Sequence, residues 1–349
     1  MANSQKLSFV ELDDLPDEII LKIFTFLDIK EILKCGQISQ RIRAISNDES
    51  LWLQLNFFEG HVPYGLLEKA VENGCRYLSL AFACLVGGEN SKIPLNLSYL
   101  EMSQHSDNEP GTLEVHKGLL KNCHSLQKLA MENLILDSDD IEDIGNNFKT
   151  LKILDLEDIC IGHIYPNPTK AIQKLFKRCV ELVELNFSST GPWDHKSALF
   201  AAIAYNLTPK ILKVDLSMNK NLKDRHVEAL IKRCNNITEL DLSYTSITKA
   251  SVDCIATHLK SSLEKLDVSY TEIDSTELLQ LRSVGTLKVL HCFYKIKSPR
   301  VQEEYLRRNL PQVSINNEEH LFHIATSITD TVQYEDGFWE IKAEAQQIF

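Results

Sequence analysis

The chain has 349 residues, 44% of them apolar and 25% charged, with a formal net charge of −12. That balance describes a folded chain with a core, and the acidic excess argues against nucleic acid, whose phosphates need a basic face. No segment approaches the roughly 18–20 apolar residues of a membrane span, and the start lacks the apolar centre of a secretory signal, so no membrane contact and an intracellular setting are expected.

Residues 1–10 are polar and read as flexible. Segment 11–57 reads as three short helices. Asp14 is placed to cap the first, and Pro16 falls in its first turn, where a missing N–H costs nothing. Ile19, Ile20, Ile23, Phe24 and Leu27 then form an apolar stripe too wide for a helix with one neighbour. A second helix is expected over 29–36 with Ile32 and Leu33 inward, and a third over 38–45. Trp52 closes the unit. So small a domain has a marginal core, and must lean on the rest of the chain or complete its core with a partner chain.

Residues 58–95 read as an irregular linker and first repeats, with a helix near Leu66–Val71 and a degenerate strand after Cys75. Gly87-Gly88 marks a turn that lacks the spacing of a phosphate loop. From 96 to 315 one pattern dominates: apolar-x-x-apolar-x-apolar. Its most regular copies are Ile237, Leu240, Leu242, Thr245 and Leu263, Leu266, Val268, Thr271. Between them Val252, Ile255, Ala256 and Leu259 carry helical spacing. The pattern extends upstream through Ile211, Leu182, Leu151, Leu126 and Leu97, and downstream through Leu287 and Leu310, at spacings of about 23 to 31 residues. A strand plus a helix at this period is the signature of a leucine-rich repeat, in which no unit buries its apolar face without its neighbours. The expected fold is therefore α/β: a three-helix domain, then a solenoid with a curved parallel sheet inside and helices outside. Segment 316–349 has no repeat helix but carries Leu321, Phe322, Ile324, Ile328, Val332, Phe338, Trp339 and Ile341. It is too apolar for a disordered tail and is expected to pack on the repeats.

Of the nine cysteines, Cys123, Cys179 and Cys234 each sit three residues before a repeat's first apolar position. They read as reduced, buried packing groups, and no C-x-x-C suggests a metal or a redox pair. The histidines are scattered, without metal-ligand spacing.

Side chains alternate along a strand, so the residue between the second and third apolar positions faces the inner side. That row is Glu101, Ala130, Asp155, Asn186, Asp215, Asp241, Asp267 and His291. Three successive aspartates on strands about 4.8 Å apart repel one another unless cations or donors intervene. Lys213 and Lys265 are the local candidates for that role. Beside the row run Ser188, Ser217, Ser243 and Ser269, then Tyr244, Tyr270 and Tyr294 at the rim, where tyrosine gives contact area at low entropic cost. Either the aspartates are solvated repeat residues, or the face is an acidic docking surface with an aromatic edge, extended by Glu157 and Asp158. An open sheet offers no pocket to raise a carboxylate's pKa for acid–base work, so a non-catalytic protein without cofactors is expected.

Leu15-Pro16-Asp17-Glu18, the helix after it, and Asp48-Glu49-Ser50-Leu51-Trp52 resemble an F-box. Followed by leucine-rich repeats, they are similar to the F-box/leucine-rich-repeat family. Lys220–Asp224, Arg233–Ser243, Thr286–Leu290, Leu310–Asn316 and Phe338–Lys342 resemble its S-phase branch. The resemblance implies a substrate receptor of an SCF-type cullin–RING ubiquitin ligase, nuclear and cytoplasmic, acting on phosphorylated cell-cycle regulators. It implies that Leu15, Pro16, Glu18, Ile19, Ile23, Phe24, Leu27, Leu33 and Trp52 make or support contact with the S-phase kinase-associated adaptor subunit, and through it with the cullin scaffold. It also implies that a cyclin-kinase accessory subunit docks on the late repeats and tail, so that Asp155, Asp215, Asp241, Tyr244, Asp267, Tyr270, Tyr294 and Trp339 become the substrate or accessory site. One departure stands out: Ile42 occupies a position where the family often has Trp, which weakens the implied adaptor contact.

Overall fold

The structure, a computed structural model, describes residues 12–57, 60–87, 94–104, 119–161, 168–189, 196–293, 299–317, 332–335 and 338–341. The N-terminal unit is built from α1 (Asp17–Phe24), α2 (Ile29–Cys35), α3 (Gln40–Ser46) and the one-turn α4 (Glu49–Trp52). Each later helix start is marked by a side-chain cap. Asp28 accepts from the Glu31 N–H at 2.8 Å while Glu31 accepts from the Asp28 N–H at 3.1 Å, a capping box. Ser39 caps α3 and Asp48 caps α4. At α1 the expected cap is displaced: Asp14 ends a 3-10 turn over Leu12–Asp14, and Pro16 immediately precedes the first helical residue. Asp17 and Glu18 supply the negative charge that a helix start favours.

This unit has a small core of its own, made by Ile20, Phe24, Ile32, Ile42 and Ile45. Trp52 belongs to a different cluster. It is fully buried in the apolar core of the repeats, and its indole N–H donates to the Ser46 carbonyl at 2.7 Å. Leu53 O accepts from the N–H groups of Arg76 and Tyr77 at 2.9 and 3.1 Å, which ties the unit to the repeats through backbone as well. The small domain leans on the solenoid.

The solenoid is one parallel sheet of eleven strands in sequential order. They are β1 (Gln54–Asn56), β2 (Tyr77–Ser79), β3 (Tyr99–Glu101), β4 (Lys128–Ala130), β5 (Ile153–Asp155), β6 (Glu184–Asn186), β7 (Lys213–Asp215), β8 (Glu239–Asp241), β9 (Lys265–Asp267), β10 (Val289–His291) and β11 (Ser314–Ile315). The sheet therefore begins at Gln54, well before the repeat pattern becomes legible. Each strand is three residues or fewer, and its middle residue points into the core. Leu129, Leu154, Leu185, Val214, Leu240 and Leu290 are all completely buried there, each contributing roughly 1.5–3 kcal/mol. Helices α5 (Tyr64–Glu72), α6 (Ser138–Asn147), α7 (Pro168–Arg178), α8 (Lys196–Asn206), α9 (Asp224–Arg233), α10 (Lys249–His258) and α11 (Pro299–Asn309) lie between strands, with a 3-10 helix over Glu277–Ser283. From α6 to α10 each helix packs on the next.

Sequence markers acquire physical roles in this frame. Cys123, Cys179 and Cys234 are wholly buried, and burial pushes the thiols of Cys123 and Cys179 up to about 12. All nine cysteines are free. Thr245 and Thr271, which close the two regular copies, donate their hydroxyls to Leu242 O and Val268 O, both at 2.6 Å. Asn219 does the same work one repeat earlier, donating to Phe187 O at 2.8 Å and Leu216 O at 3.1 Å. In the tail, Val332–Glu335 and Phe338–Ile341 pair as an antiparallel hairpin with Trp339 opposite Tyr334. The flexibility expected of residues 1–10, and the packing expected of Leu321, Phe322, Ile324 and Ile328, lie outside the described residues.

Candidate functional site

The inner row forms in the expected register. Ser79, Glu101, Ala130, Asp155, Asn186, Asp215, Asp241, Asp267 and His291 are Cα partners across successive strands. What the row does differs from an open acidic surface. Asp155, Asn186 and Asp241 are only 3%, 4% and 6% exposed. From Asp155 to Asp267, one side-chain oxygen of each row residue accepts the backbone N–H two positions on: Glu157 at 2.9 Å, Ser188 at 3.0 Å, Ser217 at 2.8 Å, Ser243 at 2.8 Å and Ser269 at 2.7 Å. These are Asx turns, which close the bend after each strand. The aspartates are in the first place parts of the repeat.

Burial with like-charged neighbours has an electrostatic consequence. Loss of solvation, against the donors of Ser217 and with Glu157 and Asp267 nearby, lifts the Asp215 carboxyl to about 6. Asp241, buried between Asp215 and Asp267, is raised well above the usual carboxylate range. The lysines expected to relieve them do something else. Lys213 lies 3.2 Å from Glu184 and 3.8 Å from Glu239, and Lys265 lies 3.3 Å from Glu239. Each stands two residues before a row residue, so the four form their own alternating charge row alongside the aspartates. At the end of the row, buried His291 has Nδ1 3.5 Å from Asp267 and Nε2 3.1 Å from Asn317 O. Asp267 itself is less enclosed, with a side chain 13% exposed.

A second row lies three residues beyond the first. Phe82, Asn133, Asp158, Ser189, Met218, Tyr244 and Tyr270 all have φ between 50° and 58°, a left-handed backbone that costs a non-glycine residue about 1–2 kcal/mol. The cost is offset by a repeating hydrogen bond: the N–H of each donates to a carbonyl of the next repeat, as Met218 to Ser243 O at 2.9 Å and Tyr244 to Ser269 O at 2.8 Å. The bend carries these side chains to the rim, where Met218 is 55% and Tyr244 39% exposed. Tyr244 stacks on Tyr270 with ring centroids 4.2 Å apart. Tyr294 lies outside the described residues, and of Trp339 only its strand position is described.

The α1 stripe divides. Ile20 and Phe24 are buried in the unit's core, whereas Ile19 and Ile23 are exposed. Glu18 and Pro16 are also exposed, and Leu15, Leu27 and Leu33 are half-buried. Two large apolar residues outside the sequence-predicted set join the exposed ones: Phe26, 64% exposed, and Ile38, 66% exposed. Their signal is their position at a turn after a helix, where an apolar residue has no core reason to be. Phe24 and Trp52 are buried and can only support an outside contact. Ile42 is completely buried, so its departure from Trp alters the unit's own core and not an exposed contact.

Comparison with known proteins fits both halves. A model of the SKP2 leucine-rich-repeat domain matches residues 65–346, and an F-box-like model matches 12–57. The chain belongs to the SKP2-type family of F-box, leucine-rich-repeat proteins. Human F-box/WD repeat-containing protein 8 is 45% identical over 49 residues, 14% of this chain and 8% of that protein. The F-box protein dre-1 of Caenorhabditis elegans is 37% identical over 54 residues, 15% of this chain and 6% of that protein. The chain thus spans less than a tenth of the length of these relatives. Within the SKP2-type solenoid, among the described residues, no cluster of three or more His, Cys, Asp or Glu could hold a metal ion, and no helix is long and apolar enough to cross a membrane.

Proposed function

We propose that this chain is the substrate-recognition subunit of an SCF-type cullin–RING ubiquitin ligase. The observation that carries the reading is the exposed apolar set Ile19, Ile23, Phe26 and Ile38 on a helical unit whose own core is already closed and whose Trp52 is fixed in the repeats. Such a patch supports a contact with a Skp1-type adaptor, and through it with a cullin. The fixed joint transmits that position to the far repeats. Catalysis belongs to other subunits: the receptor raises the effective concentration of a substrate lysine near a ubiquitin-charged enzyme.

The substrate end is assigned to the late rim. Exposed Tyr244 and Met218, with half-buried Tyr270 stacked on Tyr244, offer an aromatic and thioether surface beside the partly open carboxylate of Asp267. Asp155, Asp215 and Asp241 act behind it as supports. In this reading a basic accessory subunit docks there, with Tyr294 and Trp339 completing the site and the tail packed against the inner face. Phosphorylated cell-cycle inhibitors are then the substrates, met in nucleus and cytoplasm. The scarcity of exposure along the inner row supports a covered face. The test is co-expression with the adaptor, followed by adaptor-dependent ubiquitination of a bound phosphorylated inhibitor with and without the accessory subunit. Adaptor binding without ubiquitin transfer to any bound protein would make the chain a scaffold, and transfer without the accessory subunit would make it a direct receptor.

A further inference from the structure

The rim tyrosines lie where the strands end. At the other edge of the sheet, where the strands begin, the C-terminal ends of α7, α8 and α9 enclose an open groove of about 370 Å³. Lys177, Val180, Tyr205, Thr208, Pro209 and Arg233 are among its lining residues. Val180 is 49% and Tyr205 67% exposed, so two large apolar side chains stand against a concavity. Helix C-termini ordinarily present unpaired carbonyls, which repel an anion. Around this groove three nearby carbonyls are instead occupied by side-chain donors: Thr208 Oγ1 donates to Val180 O at 3.1 Å, Asn206 Nδ2 to Ala202 O at 2.7 Å, and Arg233 Nε to Leu207 O at 2.6 Å.

The cations around the groove divide into two kinds. Lys210 and Lys232 are held by Glu181 and Glu228, each at 2.6 Å. Lys177 and Arg178 in the last turn of α7, and Arg233 at the end of α9, are exposed and pair with no carboxylate among the described residues. A chain with a net charge of −12 therefore keeps two unneutralised cations, Lys177 and Arg233, on the lining of one groove that also exposes apolar side chains. Bringing an anionic, partly apolar partner there gains charge complementarity and area together.

We infer that this groove is a docking site for an acidic linear segment of a partner protein carrying one aromatic or aliphatic anchor. The anchor seats against Val180, Tyr205 and Pro209, and flanking carboxylates meet Lys177 and Arg233. The probe is a fluorescein-labelled heptapeptide of alternating Glu and Asp with a central Phe, titrated into the full chain and followed by anisotropy. Saturable binding is expected, weakened about tenfold or more by Lys177→Glu or by Tyr205→Ala, and weakened by salt because the charges are exposed. Both substituted side chains are exposed, and unchanged thermal melting establishes that the variants fold. Absence of saturable binding overturns the inference. So does equal binding of a peptide with Ala in place of Phe, equal binding of its Lys/Arg counterpart, or equal binding by the two variants.

Discussion

Replacing Asp215 by Asn should stabilise the solenoid at neutral pH. The carboxyl stands near 6 in the fold against 3.8 in an open chain, first because burial removes its solvation and then because Glu157 and Asp267 share its surroundings. Below about pH 4 both states carry the proton and the side chain costs nothing. Between about 4 and 6 the unfolded chain ionises while the folded one still holds its proton, so stability falls as pH rises through that window. By pH 7 the accumulated cost is about 3 kcal/mol. Asn cannot ionise, yet its amide oxygen can keep the bond from the Ser217 N–H, now 2.8 Å long. Asn186 does this one strand away, accepting from Ser188 at 3.0 Å. Urea unfolding followed by circular dichroism at pH 7 and pH 4 should therefore show a gain approaching about 3 kcal/mol at the higher pH and under about 1 kcal/mol at the lower. Hydrogen exchange in β6–β8 would localise the effect if the array unfolds in units. A variant no more stable than the parent at pH 7, or equally stabilised at both pH values, would refute the reasoning.

Trp52→Ala should cost about 3–5 kcal/mol and loosen the helical unit from the repeats, seen as early proteolysis near residue 53. Ile19→Asp with Phe26→Asp should abolish co-purification with a Skp1-type adaptor while leaving the melting temperature unchanged, since both side chains are exposed. Tyr244→Ala with Tyr270→Ala removes the stacked pair, which is worth about 0.5–1.5 kcal/mol in the fold, and should weaken accessory or substrate capture much more than stability. Asp224 accepts from Thr248 N at 2.8 Å, Thr248 Oγ1 at 2.9 Å and Ser251 Oγ at 2.6 Å. Burial opposes its ionisation, but those donors outweigh burial and hold its carboxyl below the ordinary value. The stability it supplies is thus present at neutral pH and lost as pH falls, and Asp224→Ala should flatten that acid limb in a pH series of melts.

The register of the inner row is readable because one short pattern repeats and side chains alternate on a strand. Its members appear in the structure as Cα partners from Glu101 to His291. The use of those residues is harder to read. Charge alone suggests repulsion seeking lysines, whereas the decisive clue is the serine two places on, at Asn186-Phe187-Ser188, Asp215-Leu216-Ser217, Asp241-Leu242-Ser243 and Asp267-Val268-Ser269. An acceptor side chain two residues before a bend is an Asx-turn signal. The lysines mislead for a related reason. Glu184 and Glu239 occupy the same row as Lys213 and Lys265, so the nearest opposite charge lies across the strand and not along it. The start of the sheet is hidden because β1 lies inside the helical unit, where helix patterning conceals a three-residue strand.

These assignments bear on where a repeat protein of this kind can place its contacts. A side chain that closes the bend of its own repeat cannot be altered freely, and burying the Asp215 and Asp241 carboxylates side by side already costs stability. The left-handed row has the opposite constraints. Its structural work is done by the backbone N–H, which bonds to the next repeat whatever the side chain, and the structure accordingly tolerates Phe82, Asn133, Asp158, Ser189, Met218, Tyr244 and Tyr270 there. The bend carries Met218 and Tyr244 out towards solvent. Specificity can therefore vary along the rim without disturbing the stack, while the inner row holds the shape that presents it. Swapping Tyr244 and Tyr270 for the Asn133 or Ser189 type should leave the repeats folded and remove binding. The same exchange made in the inner row, Asp241 to Tyr, should unfold them.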